Sequence, residues 1–226
     1  MCGRYVMART DFQLLGDFAA SGDLGWEPAF SVAPTNRAPI LRVRDDERQL
    51  ALAKWSLVPS WMKAGGPPNI NARIETIATK PMFRGSLSSD RIVVPMSGYY
   101  EWEETDGQKQ PWFIHGETPV LAAAGLRAEY QDGDGEWQST FTIITREARD
   151  ASGEVHDRMP VFLEADFLDT WLSPGKVTDK DGLLDQLDAT SVKMATTITT
   201  RPVSRRVNSV KGLDWTDATL IDEVKL

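Results

Sequence analysis

The only cysteine in the chain is its second residue, Cys2. Removal of Met1 would give Cys2 a free α-amine beside its thiol, and such an amine, with an ordinary pKa of about 7.7 to 8.0, is partly unprotonated near neutral pH. A 1,2-aminothiol can condense with an aldehyde to a Schiff base and then close its sulfur onto the imine carbon, giving a five-membered thiazolidine. A retained Met1 would make the same nitrogen an amide and abolish that chemistry. Taken alone, a single cysteine is more often a small buried apolar residue.

Other candidates for chemistry are few. His156, one of two histidines, lies in Glu154-Val155-His156-Asp157-Arg158-Met159-Pro160, where an imidazole near neutral pKa could serve as acid or base. A hydrogen-bonded structural histidine is the more common outcome in such a setting, and His115 reads as structural. Glu101 lies in Ser97-Gly98-Tyr99-Tyr100-Glu101-Trp102. Partial burial there would raise its pKa and suit it to proton transfer; an exposed acid beside core aromatics is the alternative. Asn71, Arg73 and Glu75 alternate along the chain, so an extended segment would aim all three at one face. A solvated strand edge or a structural ion pair explains the same spacing. Arg4, Arg73, Arg84 and Arg158 could contact phosphate, and Trp61, Tyr100 or Trp102 could stack on a base. One cysteine and two histidines without ligand spacing predict no metal site. With neither a phosphate-binding loop nor a dinucleotide fingerprint, no cofactor is expected.

The elements that must position these residues read as mainly strand. Residues 10–20 suggest a short helix capped by Thr10 and closed by Gly22. Residues 28–48 are extended, 49–58 form a strand, and 60–68, rich in Gly and Pro, form a loop. A β-rich run covers 91–102, and Asp106-Gly107 turns it into a second strand over 111–115. Segments 120–130 and 137–145 flank another hairpin signal at 131–135. Residues 165–172 and 182–187 suggest short helices, and 196–207 returns to strand. Helices are not regularly interleaved with strands, so the pattern predicts an antiparallel α+β fold, in one domain over residues 1–226.

Composition narrows the functional classes. The formal charge of -8 excludes bulk attraction to nucleic acid and confines any such site to a local, salt-sensitive basic patch. No segment approaches the roughly 18 apolar residues of a membrane span, and no signal-like stretch opens the chain. With one cysteine and no disulfide, the expectation is a soluble, cytoplasmic protein.

Seven motifs occur in a fixed order: Met1-Cys2-Gly3-Arg4, Val32-Ala33-Pro34-Thr35, Trp55-Ser56-Leu57-Val58-Pro59, Asn71-Ala72-Arg73-Ile74-Glu75-Thr76, Gly98-Tyr99-Tyr100-Glu101-Trp102, His156-Asp157-Arg158-Met159-Pro160 and Val203-Ser204-Arg205-Arg206-Val207-Asn208. In these the chain resembles the SOS response-associated peptidase family of abasic-site processing proteins across almost its whole length. The resemblance implies a barrel-like, β-rich core with short peripheral helices. It implies that Cys2, freed of Met1, forms a thiazolidine with a ring-opened abasic deoxyribose. Asn71 would hydrogen-bond the linked sugar or the Cys2 backbone, Glu101 would assist proton transfer and ring opening, and His156 would act as acid or base near the sugar. Arg73, then Arg4 and Arg158, would hold flanking phosphates, and Trp61 and Met62 would block or kink the strand. The implied partner is single-stranded DNA, including junctions with a recessed 3′ end, bound by a monomer, with Schiff-base lyase activity and Met1 self-removal as side reactions. Ser31 departs from the family's usual Asn. Two other readings stay open: a thiol peptidase using Cys2 and His156, and a non-catalytic single-strand binding module in which Cys2 is incidental.

Overall fold

The computed structural model describes residues 2–62 and 65–226. Met1, Lys63 and Ala64 lie outside the described residues, so the loop expected over 60–68 is seen only at its two ends. Twelve strands are described: β1 (Tyr5–Met7), β2 (Ala29–Val32), β3 (Arg37–Arg44), β4 (Glu47–Trp55), β5 (Asn71–Arg73), β6 (Arg91–Met96), β7 (Gly98–Thr105), β8 (Gln108–His115), β9 (Leu121–Gln131), β10 (Trp137–Glu147), β11 (Arg158–Pro160) and β12 (Thr199–Pro202). The helices are α1 (Asp11–Phe18), α2 (Pro81–Ser89), α3 (Asp150–Gly153), α4 (Leu168–Leu172) and α5 (Lys180–Ala195), with short 3-10 turns between and after them.

Five strands close a barrel in the order β4, β3, β6, β9, β10, with β10 returning to β4. All its pairings are antiparallel except that closure, where Thr140 and Phe141 run parallel to Lys54 and Trp55. β5 adds in parallel and β11 in antiparallel to the far end of β10. A second, antiparallel sheet has the order β12-β8-β7-β1-β2. The fold is thus α+β, mainly antiparallel, with a barrel core and short peripheral helices. Among the described residues no helix is long and apolar enough to cross a membrane.

The second sheet is covered on both faces, and period-2 alternation shows how. Tyr5, Met7 and Tyr99 enter the main core, while Val6, Tyr100 and Phe113 join a smaller cluster with Val203, Val207 and Leu220. In the main core Trp55 meets Tyr5 edge-on at 5.1 Å and stacks with Phe141 at 6.4 Å. Its indole N–H donates to Ile70 O at 2.9 Å, so the largest core side chain leaves no polar atom unpaired.

Several sequence expectations shift. Thr10 does cap α1, in a reciprocal box with Gln13, but the helix closes at Ala19 in the left-handed region (φ 47, ψ 50) rather than at Gly22. The run over 91–102 is two strands. Ser97 breaks it, accepting from Ala8 N at 3.1 Å and donating its own N–H to Val6 O at 2.7 Å. The break passes the chain from the barrel into the second sheet. Helix α2 was not expected, because Gly85 and three serines are weak helix formers; burial of Phe83 and Leu87 one turn apart holds it. The helix expected over 182–187 runs through Lys180–Ala195, capped by Asp179. Only Thr199–Pro202 of the strand expected over 196–207 forms, and residues 205–208 are a 3-10 turn.

Gly98 sits at the crossing point between the two layers, and a Cβ there would lie 2.5 Å from the Phe113 ring and 2.6 Å from the Ile114 carbonyl oxygen. Backbone cannot retreat cheaply, so Gly98→Ala should destabilise by about 3 kcal/mol. Urea unfolding should show a lowered midpoint at an unchanged slope; an unmoved midpoint would mean that β7 and β8 separate more easily than this packing implies.

Candidate active site

Strand β1 delivers Cys2. It is held between β2 and β7, with Tyr5 opposite both Val32 and Tyr99, and Tyr100 N donates to Arg4 O at 2.9 Å. Cys2 is fully buried. Its carbonyl accepts from Asn71 Nδ2 at 2.8 Å, and Asn71 is placed by the pairing of β5 with Ile143 of β10. The amide oxygen of the same side chain, Asn71 Oδ1, is buried without a partner among the described residues.

Glu101 follows from alternation on β7. Tyr99 and Glu101 share one face, and Tyr100 and Trp102 the other, where they join the smaller cluster. Glu101 is only 2% exposed. Burial first, with Asp157 adding to it, pushes its carboxyl pKa up to about 7. Burial, reinforced by the charge of Glu101, also pushes the Cys2 thiol well up, so the thiol is neutral in this state. The same burial, again with Cys2 and Glu101 adding to it, raises Tyr99. Tyr5 is raised likewise, by burial and then Cys2.

His156 belongs to the turn between α3 and β11, its N–H bonded to Ser152 O at 3.1 Å. Its Nδ1 has two contacts of opposite demand. Arg158 N donates to it at 3.0 Å, while Asp157 Oδ1 lies 2.8 Å away and would need a proton on that nitrogen. Burial lowers the imidazole pKa and Asp157 opposes the shift. The neutral ring therefore accepts from the backbone, and a protonated ring would turn that nitrogen toward Asp157. Asn71 is bonded to Cys2 and Asp157 pairs with His156, while the charge of Glu101 acts on the Cys2 thiol and that of Asp157 on Glu101.

The candidate phosphate and base contacts fall elsewhere and differ in availability. Arg73 and Arg84 are exposed, and Trp61 is 63% exposed beside a half-buried Met62. Arg158 is buried: it grips Glu75 through two bonds of 2.6 and 3.1 Å and donates to Thr145 O at 2.8 Å. That pairing holds the Glu75 carboxyl below its ordinary range and ties the turn after β5 to β11. Glu75 is not on a common strand face with Asn71 and Arg73, because β5 ends at Arg73. Arg4 is also buried, donating to Ser31 Oγ at 3.0 Å and Val207 O at 3.3 Å. Trp102 is half-buried, and its indole N–H donates to Asn208 Oδ1 at 2.8 Å. Tyr5, Tyr99 and Asp157 are neighbours that sequence reasoning did not single out. Tyr99 was findable, since it lies two positions before Glu101 on a strand.

The family model for SOS response associated peptidase (SRAP) matches residues 1–210, and the chain belongs to that family. Among its relatives, the abasic site processing protein YoaM of Bacillus subtilis is 36% identical over 194 residues, covering 81% of this chain and 83% of that one. The abasic site processing protein YedK of Escherichia coli is 30% identical over 220 residues, covering 94% and 96%. A crystal structure of a Bacteroides thetaiotaomicron protein superposes with a TM-score of 0.85 at 21% identity, covering 99% and 100%, which shows the shared fold.

The raised Glu101 pKa has a sign that can be measured. Because the folded value exceeds the ordinary 4.5, its contribution to stability is full below pH 4.5 and is lost as pH rises through 7. Glu101→Gln removes the cost of ionising in place, so it should exceed the parent by about 3 kcal/mol at pH 8 and by about 1 kcal/mol at pH 5. Denaturant titrations at the two pH values test this, and a pH-independent difference would place Glu101 in water.

Proposed function

We propose that this protein captures abasic sites in single-stranded DNA by a covalent bond from Cys2. The observation that carries the reading is the setting of buried Cys2, whose carbonyl Asn71 holds at 2.8 Å, with the charge of the buried Glu101 felt at its thiol. Removal of Met1 turns the Cys2 nitrogen into an amine. That amine adds to the aldehyde of the ring-opened deoxyribose, and the carbinolamine then loses water to give the Schiff base. With a pKa of about 7, Glu101 is near half-protonated at neutral pH and can give a proton to the departing hydroxyl. The thiol then adds to the imine carbon while the imine nitrogen takes up a proton, closing the thiazolidine. One water is released in all. His156, kept neutral, would pass protons at the sugar, and strand scission from the Schiff base would be the side branch.

A neutral, buried thiol suits this order of events, since the amine attacks first and sulfur follows within the same residue. It disfavours a peptidase with a resting thiolate, whose nucleophile needs a lowered pKa. On the DNA side, Arg73 and Arg84 are the exposed members of the four candidate arginines, and the exposed Trp61 supplies a base-stacking surface next to Met62. A blocked strand there would favour single strands and junctions with a recessed 3′ end, handled by a monomer.

Intact-mass spectrometry with single-stranded DNA carrying one abasic site tests the reaction. The expected product is the chain without Met1 plus the DNA less one water, stable without reductant. Cys2→Ser should give no product unless borohydride traps the imine. A stable product in Cys2→Ser, or none in the parent after Met1 loss, defeats the proposal.

Trp61→Ala should weaken binding to unmodified single-stranded DNA by roughly 5- to 100-fold, the range for one stacked base. Fluorescence anisotropy reads this directly. An unchanged dissociation constant would remove Trp61 from the DNA path.

A further inference from the structure

We propose that Arg42, Arg44 and Arg127 form a binding site for a phosphate group at the end of the barrel away from Cys2. The location follows from strand register. Arg127 lies opposite Phe141 on β10, outside the stretch from Ile143 to Thr145 along which β5 brings in Asn71. Arg91 opens β6 at this end, while the opposite end of β6 leads through Ser97 to the strand bearing Glu101.

A cavity of about 410 Å³ opens there, lined by four arginines against two carboxylates. In a chain of net charge -8 this is a local reversal of sign, and each guanidinium is held differently. Arg91 is saturated by backbone oxygens, at 2.8 Å from Trp171 O, 3.1 Å from Leu87 O and 2.9 Å from Ser88 O, with Ser173 O as a fourth. It forms a buried positive floor with no carboxylate in ion-pair contact among the described residues. Arg127 is fixed in place by Asp90 at 2.9 Å and by Glu129, which consumes both carboxylates of the cavity. Arg44 reaches only the exposed Asp45, at 3.6 Å.

Arg42 is the residue left over. Its Nε is buried without a hydrogen-bond partner. Its surroundings disfavour the positive charge, first by burial and then through Arg127 and Arg44, with Glu129 and Asp90 opposing. A buried donor without an acceptor is costly to leave unpaired, and an acceptor entering the cavity would relieve it. The acceptor this cluster fits is a tetrahedral oxyanion, since planar guanidiniums bind phosphate oxygens in pairs. Ser89 and Ser173 line the same cavity. Free phosphate and a nucleotide phosphate share this chemistry, and the site is independent of the reaction proposed for Cys2.

Isothermal titration at constant pH and ionic strength tests the site, using inorganic phosphate in one arm and a deoxynucleoside 5′-monophosphate in the other, with chloride as the matched salt. Arg42→Gln is the variant, because the Arg42 side chain makes no hydrogen bond or ion pair among the described residues that the fold would lose. The expected result is saturable binding in the millimolar range, weakened at least fivefold by Arg42→Gln while the thermal midpoint without ligand stays put. Tighter binding of the nucleotide would identify a nucleotide-borne phosphate, and equal or weaker binding a free oxyanion; both support the site. No saturable binding in either arm, or equal binding by Arg42→Gln, overturns it.

Discussion

Three residues of β1, Tyr5 to Met7, hold the start of the chain inside the second sheet by backbone pairing to β2 on one side and β7 on the other. Their register decides everything nearby. Tyr5 and Met7 must face the main core and Val6 the smaller cluster, and a slip of one residue would exchange the faces and bury the wrong side chains. With Tyr5 fixed, Arg4 can reach only Ser31 and Val207, and Cys2 emerges within reach of Asn71. Cys2 and β1, in a part of the sequence where chains are often loose, are here buried.

Electrostatics divides the site into two zones. Around Cys2 burial favours neutral forms: the thiol is protonated, Glu101 sits near half-ionisation at pH 7, and His156 is shifted toward its uncharged ring. In the turn after β5, the two-bond contact from Arg158 holds the Glu75 carboxyl ionised, offsetting its desolvation. Charge is thereby used where rigidity is needed, between the turn that follows Asn71 and the strand that follows His156. Groups that exchange protons are kept where a small change in environment alters their state.

How much of this could be read from sequence depended on the range of the interaction. The hairpin turn at Asp106-Gly107 was legible because its positive φ values, 53° and 72°, are what Asp-Gly tolerates. The Thr10 cap was legible for a similar local reason. Helix α2 was not, since its serines and Gly85 point away from helix and only the packing of Phe83 and Leu87 overrides them. Nor was the barrel closure, in which β4 meets β10 in parallel across a long stretch of chain. At the site, Cys2 stood out by its chemistry and position, and Glu101 and His156 by their neighbours, with the ordered motifs drawing them together. The Arg158–Glu75 pair could not be found that way, because neither residue signals the other along the chain. It changes the expected division of labour, turning Arg158 from an open phosphate contact into an internal strut.

The same accounting bears on how an acidic chain could hold DNA. Arg4, Arg91, Arg146 and Arg158 are each less than a tenth exposed, so four of the 25 basic side chains face inward and the outer surface is more negative than the sequence total suggests. Few donors remain near Cys2 to displace counterions from a phosphate backbone, and reversible affinity from that source scales with their number. A protein that stacks one base on Trp61 and then forms a covalent bond does not depend on that affinity. It needs an encounter long enough for the amine to find the aldehyde, after which the bond, not the charge, keeps the strand in place. On the proposed reading, weak electrostatic holding favours selectivity: intact strands lacking an aldehyde would dissociate, and only the damaged one would stay.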